Sequence, residues 1–138
     1  MTQVIIDTGP LVASFDHRSE HHAWVLDQYR RIHGPVFTCE AVLSEAVFLM
    51  RRDGLNPEPL LESVQRGAIR CEFDLTSEME SIKASFRCYR DRAISVADAS
   101  LVRMSELEPE SVIFTLDHDF LVYRRNGRQK IPILAPFA

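Results

Sequence analysis

Apolar runs typical of strands alternate with helix patterns along the chain, and this alternation restricts the fold more than any other feature of the sequence. The strand-like runs occupy residues 4–7, 36–38, 69–75, 112–115 and 131–134. Strands that alternate with helices are typical of a mostly parallel sheet that is covered on both faces. We therefore predict an α/β fold, namely a three-layer α/β/α sandwich with a mostly parallel sheet of about five strands.

Turn and capping residues predict where the helices begin. Gly9 and Pro10 lead into a short helix at residues 11–15, and a later helix covers residues 95–107. Polar residues that precede the other helices are candidate caps, and they are Ser19, Thr38 and Ser77, the last forming a capping box with Glu80.

Length and composition predict a single domain. The 138 residues match the commonest domain size, and the 46% hydrophobic and 26% charged content is ordinary for a globular protein. Because the composition does not change along the chain, we expect one domain over residues 1–138.

Charge and cysteine content restrict the class of protein further. A net charge of −4 argues against a protein that binds nucleic acid through its overall charge. It does not exclude an enzyme that contacts nucleic acid through a local group of basic residues. The three cysteines show no paired spacing, which predicts reduced thiols and a cytoplasmic location. No window approaches the roughly 20 apolar residues that a membrane span needs, so we expect no membrane contact.

Four acidic residues stand where an apolar run ends or a helix begins. Asp7 ends the first strand-like run, and Asp117 follows the run at 112–115. Glu45 interrupts an apolar helix, and Asp98 lies near the start of another. Parallel sheets bind ligands at the carboxyl ends of their strands, so this order of elements can bring the four acids together.

Mutual repulsion is the reason to assign these acids a function. Two unit charges about 4 Å apart cost on the order of 4 kcal/mol at an effective dielectric constant of about 20. A cluster of carboxylates must therefore share protons or bind a cation. Oxygen ligands favour Mg²⁺ or Mn²⁺, and we predict a site for one of these ions.

Each acid also has a purely structural interpretation. Asp7 could start the turn before Gly9, and Asp98 could complete a capping box with Ser95. Glu45 could point into solvent. Asp117 and Asp119 could both be loop or cap residues, and it stays open whether Asp119 contributes to the site.

The sequence resembles the PIN domain, in particular the VapC-like ribonuclease toxins, over nearly its whole length. The segments that carry the resemblance are residues 5–11 (IIDTGPL), 43–45 (LSE), 89–91 (YRD), 96–101 (VADASL) and 115–120 (TLDHDF). Each segment alone is weak, but all of them in this order form a specific pattern.

The resemblance implies a fold, an activity and a partner. It implies an α/β/α sandwich, magnesium-dependent hydrolysis of RNA that leaves a 5′-phosphate and a 3′-hydroxyl, a homodimer, and a cognate antitoxin that covers an apolar groove near residues 11–15 and 42–50. The catalytic and metal-site acids of the family fall on Asp7, Glu45, Asp98 and Asp117. The family pattern favours Asp117 over Asp119 in the last position.

We expect these acids to have different roles. Asp7 and Asp98 are the candidates for direct metal ligands, whereas Glu45 and Asp117 would orient waters, bind a second ion or act as the base. The number of metal ions stays open. The hydroxyls of Thr8 and Thr115 lie beside these acids and could fix a carboxylate, a water or a phosphate oxygen, although a local backbone bond is equally compatible.

RNA contact would have to come from local basic residues because the net charge is negative. One candidate group precedes Asp98 and includes Arg90 and Arg92. A second group follows Asp117, and its members are Arg124, Arg125, Arg128 and Lys130. We expect the nearby aromatic residues Phe120 and Tyr123 to belong to the core rather than to stack on a base.

A different class of function fits the same fold. A catalytically silent PIN-like interaction module would act only through a partner protein. The presence of all four acids argues against this alternative, because a scaffold without catalysis has no reason to keep their mutual repulsion.

Overall fold

A five-stranded parallel sheet forms the centre of the computed structural model, which describes residues 2–138. The strands of the sheet are β1 (Gln3–Ile6), β2 (Val36–Thr38), β3 (Ile69–Cys71), β4 (Ser111–Phe114) and β7 (Ile133–Leu134). They lie in the order β3-β2-β1-β4-β7, and every neighbouring pair is parallel. A separate antiparallel hairpin consists of β5 (Arg124–Arg125) and β6 (Gln129–Lys130).

Six α-helices connect the strands of this sheet. They are α1 (Thr8–Phe15), α2 (His22–Arg31), α3 (Glu40–Arg52), α4 (Glu58–Gln65), α5 (Met79–Cys88) and α6 (Val96–Leu107). Helices α1 to α4 lead outward from β1 to β3, whereas α5 and α6 lead back across the sheet to β4. Crossover connections between parallel strands are right-handed, so a reversal of the direction in which the chain moves along the sheet changes the face that the connecting helices cover. Helices α1 to α4 and helices α5 and α6 therefore cover opposite faces of the sheet. The predicted three-layer α/β/α architecture is therefore confirmed.

The sheet has its switch point between β1 and β4. From β1 the chain runs outward through β2 and β3, and it then crosses to β4 on the other side of β1. Ile6 pairs with Phe114, so the residues that follow these two strands leave the same edge side by side. The crevice at such a point is the usual ligand site of an open parallel sheet.

The core lies on both faces of the two central strands. Ile5, Ile6, Ile113 and Phe114 are fully buried, which explains why their runs are continuously apolar rather than alternating. Phe114 also packs against two aromatic rings of α2, those of Trp24 and Tyr29, each with a centroid distance of 5.8 Å.

Several predicted helix caps are wrong because the polar side chains bind other partners. The α2 helix begins at His22 rather than just after Ser19, whose hydroxyl accepts a hydrogen bond from His21 N. Thr38 does not cap α3, because its hydroxyl donates to Ile6 O on the neighbouring strand at 2.9 Å.

The predicted capping box of α5 is also wrong. Ser77 donates its hydroxyl to the carboxylate of Asp74 at 2.6 Å, and the helix begins later, at Met79. The strand predicted over residues 69–75 ends at Cys71, and the last strand of the sheet covers only Ile133–Leu134.

Cys39, Cys71 and Cys88 are all free thiols. Over the described residues, we find no helix with the length and apolar character that a membrane crossing requires.

Candidate active site

The four predicted acids line one pocket at the carboxyl edge of the sheet. Asp7, Glu45, Asp98 and Asp117 surround a cavity of about 420 Å³ together with five neighbouring residues, which are Thr8, Gly9, Leu49, Leu116 and His118. Each acid comes from a different part of the chain: the end of β1, the middle of α3, the first turn of α6 and the loop after β4. The fold therefore brings together residues that are far apart in sequence.

Asp7 is the most buried of these acids. Its side chain caps α1, and the residue is only 7% exposed. Oδ1 accepts a hydrogen bond from Thr8 N at 2.7 Å, and Oδ2 accepts one from the hydroxyl of Thr115 at 2.8 Å. Burial raises the pKa of Asp7 from 3.8 to about 7, and the negative charges of Asp98 and Asp117 add to this effect, which the two hydrogen bonds partly offset.

A glycine allows the first helix to approach the loop after β4. A Cβ at Gly9 would lie 3.2 Å from Cβ of Leu116, which is closer than an ordinary van der Waals contact. Without a side chain at this position, the first turn of α1 can pack against the segment that carries Asp117. Gly9 thereby contributes to the shape of the pocket.

Asp98 only partly fits its interpretation as a helix cap. Ser95 caps α6 by accepting a hydrogen bond from Asp98 N at 3.0 Å. The carboxylate of Asp98 does not return to Ser95 but accepts a hydrogen bond from the hydroxyl of Tyr123 at 2.9 Å. Burial raises the pKa of Asp98, Tyr123 lowers it in part, and the nearby carboxylates of Asp117, Glu45 and Asp119 raise it further.

Asp117 and Asp119 both belong to the acidic cluster. Asp98, Asp117 and Asp119 each offer one oxygen such that the three atoms lie within 4.8 Å of one another. Asp117 Oδ1 accepts a hydrogen bond from Asp119 N at 2.8 Å, which shapes the turn after β4. Asp119 also forms an ion pair with Arg92 at 3.4 Å, so its charge is partly compensated.

Glu45 differs from the other acids in its exposure to solvent. It lies on α3 and lines the pocket while remaining exposed. Its negative charge contributes to the raised pKa of Asp98, so the two carboxylates are close enough to interact. The Glu45 carboxylate is therefore open both to the pocket and to solvent.

The two predicted threonines contact the site in different ways. Thr115 joins two acids, because its hydroxyl donates to Asp7 and accepts a hydrogen bond from Asp117 N at 3.0 Å. Thr8 Oγ1 is buried beside the pocket and has no hydrogen-bond partner among the described residues. A buried hydroxyl without a hydrogen-bond partner lowers the stability of the folded protein. The position of the Thr8 hydroxyl suits a hydrogen bond to a ligand in the pocket.

The family follows from the sequence. The PIN domain family model matches residues 4–126, most of the chain. This chain belongs to the PIN domain family. No curated protein matches the chain significantly.

A solved structure supports the same fold. The crystal structure of Mycobacterium tuberculosis VapC20, described as a sarcin-ricin loop cleaving toxin, matches with a TM-score of 0.74. The match covers 94% of this chain and 100% of that chain, at 18% sequence identity. At this identity the likeness establishes the fold.

The basic residues around the PIN-domain pocket have unequal access to a ligand. Arg92 is exposed beside the acids and forms an ion pair with Asp119. Arg90 is also exposed, and its Nε donates to Arg87 O at 3.4 Å. Arg125 was predicted to face RNA, but it is only 8% exposed and donates to Pro109 O and to Ser111. RNA contact by Arg90 and Arg92 stays a prediction, and Arg125 is excluded from it.

The contact of Tyr123 with the acids of this PIN domain is not predictable from the sequence. Tyr123 and Phe120 are buried, so their expected place in the core is confirmed. The hydroxyl of Tyr123 nevertheless reaches Asp98, which is 25 residues away in sequence. Burial and the charge of Asp98 raise the pKa of Tyr123, so its hydroxyl stays protonated and can donate.

Proposed function

We propose that this PIN domain is a metal-dependent endoribonuclease that hydrolyses phosphodiester bonds in RNA. The observation that carries the proposal is the convergence of Asp7, Glu45, Asp98 and Asp117 on one pocket at the switch point of the sheet. Membership of the PIN domain family supports the same activity. Hydrolysis would leave a 5′-phosphate and a 3′-hydroxyl.

The residues of the pocket fit a divalent cation. The donor atoms of the four acids are oxygens, and burial, with a further contribution from neighbouring carboxylates, raises the pKa values of Asp7 and Asp98. The buried, unpartnered hydroxyl of Thr8 adds a further polar group that suits a ligand. Asp7 and Asp98 would hold Mg²⁺ or Mn²⁺, with Glu45 and Asp117 completing the site. Such an ion supplies positive charge that acidifies water and offsets the charge of the phosphate.

The protein's own residues would orient the groups that react. The hydroxyl of Thr115 would hold the carboxylate of Asp7 and the backbone of Asp117 in place. Glu45 is exposed and would accept a proton from the attacking water. The Thr8 hydroxyl would bind a phosphate oxygen, and Arg90 and Arg92 would bind the phosphates that flank the cleaved bond.

We further propose that the chain is the toxin component of a type II toxin–antitoxin pair. The structural similarity to VapC20, which is described as a toxin, supports this role. A toxin of this kind would act in the cytoplasm, form a homodimer and be restrained by an antitoxin. The exposed side chain of Phe48 is consistent with a surface that binds a partner protein. This aromatic side chain is 66% exposed and lies on the same helix as Glu45.

Cleavage assays with matched variants test the nuclease. The native protein should cleave RNA with Mg²⁺ or Mn²⁺ and should lose activity in excess chelator. Glu45→Gln should lower the rate by at least about a hundredfold, because it removes a proposed base. Glu62→Gln is the control, since Glu62 is also an exposed acid but lies on α4 outside the pocket. Full activity in chelator would refute metal dependence. An inactive native protein that binds a partner would favour the silent interaction module.

A further inference from the structure

The hydroxyl of Tyr123 is a direct contact to the acidic pocket from a residue that lies outside it. Tyr123 is 0% exposed, and its hydroxyl donates to Asp98 Oδ2 at 2.9 Å. The hydrogen bond engages one carboxylate oxygen and leaves Oδ1 for a ligand. A carboxylate held by a single donor has a defined orientation.

Aromatic packing fixes the ring that carries this hydroxyl. Tyr89 and Phe120 both meet Tyr123 edge to face, with centroid distances of 5.0 Å and 5.1 Å. The backbone of Tyr123 is also held, because its N–H donates to Asp119 O at 3.1 Å. The ring therefore has little freedom to move away from Asp98.

The residues that follow Tyr123 anchor the segment to the rest of the fold. Arg124 N donates to the hydroxyl of Tyr89 at 2.9 Å. The buried guanidinium of Arg125 donates to Pro109 O at 3.1 Å and to the hydroxyl of Ser111 at 3.0 Å. Ser111 begins β4, so the segment is attached to the central sheet. Tyr123 thus connects Asp98, on α6, to a rigid part of the molecule.

We propose that Tyr123 is a positioning residue whose hydroxyl orients the Asp98 carboxylate to bind the divalent cation. The inference rests on the proposed metal-dependent function. A partner that orients a ligating carboxylate typically changes metal affinity by roughly 10- to 100-fold. If Tyr123 only filled the core, removal of its hydroxyl would leave metal affinity unchanged.

Two hydroxyl deletions separate positioning from packing. Tyr123→Phe keeps the ring and removes the contact with Asp98. Tyr89→Phe is the matched control, because it removes a hydroxyl from the same aromatic cluster that binds Arg124 N rather than an acid. Mn²⁺ affinity is measured by calorimetry, and melting temperature is measured in chelator to report folding.

The expected result is specific to one variant. Tyr123→Phe should bind Mn²⁺ about tenfold to a hundredfold more weakly and keep a melting temperature in chelator no lower than that of Tyr89→Phe. Tyr89→Phe should keep the native affinity, because the guanidinium of Arg125 still anchors the segment through Pro109 and Ser111. Unchanged affinity in Tyr123→Phe, or an equal loss in both variants, would overturn the inference. If the native protein itself binds no Mn²⁺, the proposed function fails instead.

Discussion

At the scale of single residues, Asp7 is the clearest conflict between charge and burial in the acidic pocket. Burial disfavours its charged form, and the charges of Asp98 and Asp117 disfavour it further. The hydrogen bonds from Thr8 and Thr115 hold the group in place but offset only part of this effect. The site is thus built to be stable with added positive charge or with an added proton.

The stability of the metal-free protein should therefore fall as the pH rises. The pKa of Asp7 increases from 3.8 in the unfolded chain to about 7 in the folded protein, so the folded state binds the extra proton between these values. Its contribution to the free energy of unfolding is complete below about pH 4 and is lost as the pH rises through about 7. Asp98 acts in the same direction. The measurement is chemical denaturation in chelator at several pH values.

Asp7→Asn supplies the reference for this measurement. Asparagine does not titrate, so the variant should lose much of the decline in stability between about pH 4 and about pH 7. Parallel stability curves for the two proteins would contradict the raised pKa of Asp7.

At the scale of elements, two residues at the start of α6 have separate roles: Ser95 caps the helix, and Asp98 faces the acidic pocket. The hydroxyl of Ser95 satisfies Asp98 N, which is the structural part of a capping box. The Asp98 carboxylate turns away toward Tyr123 and the pocket. The Ser95 cap determines where α6 begins, and this start places Asp98, in the first turn of the helix, at the pocket.

Substitutions at these two positions should have opposite effects. Ser95→Ala should lower stability by roughly 1 kcal/mol and leave cleavage mostly intact, because it removes only the cap. Asp98→Asn should abolish most cleavage and keep the stability of the metal-free protein, since it removes repulsion and the cap remains. Melting temperature in chelator and cleavage rate are measured on both variants. An active Asp98→Asn protein would reduce Asp98 to a structural residue.

The elements that the sequence predicted well are those with a strong apolar pattern. Buried runs such as 4–7 and 112–115 specify their strands locally, and the order of the elements then specifies the parallel sheet. The caps Thr38 and Ser77 were mispredicted because a hydroxyl can bind any nearby acceptor, and the fold supplied Ile6 O and Asp74. The hairpin of β5 and β6 was missed, since strands of two residues carry no periodic signal.

At the scale of the whole molecule, the topology creates the pocket. The carboxyl ends of β1 and β4 leave the sheet side by side, which sets Asp7 near the loop that carries Asp117. The sequence predicts that these acids lie close together, because the ends of the apolar runs show where the strands of the sheet end. Contacts such as Tyr123 to Asp98 and Arg92 to Asp119 were not predictable, since they depend on how separate segments pack.

A small nuclease of this type would be harmful to its own cell, and this gives the last prediction. Expression of the native chain alone should arrest growth, whereas Asp7→Asn should be tolerated because it lacks a proposed metal ligand. Glu62→Gln should remain toxic, since Glu62 lies on α4 away from the pocket. Growth after induction is measured with equal expression of all three proteins.

Co-expression with the proposed antitoxin should restore growth to cells that produce the native chain. The antitoxin would cover the surface near Phe48 and present an arginine to Asp7, Glu45 and Asp98, because a guanidinium binds clustered carboxylates in place of the cation. The purified complex should therefore bind Mn²⁺ much more weakly than the free chain. If the native chain is harmless at high expression and no small partner co-purifies with it, the toxin role fails, whereas RNA cleavage in vitro would still support the nuclease.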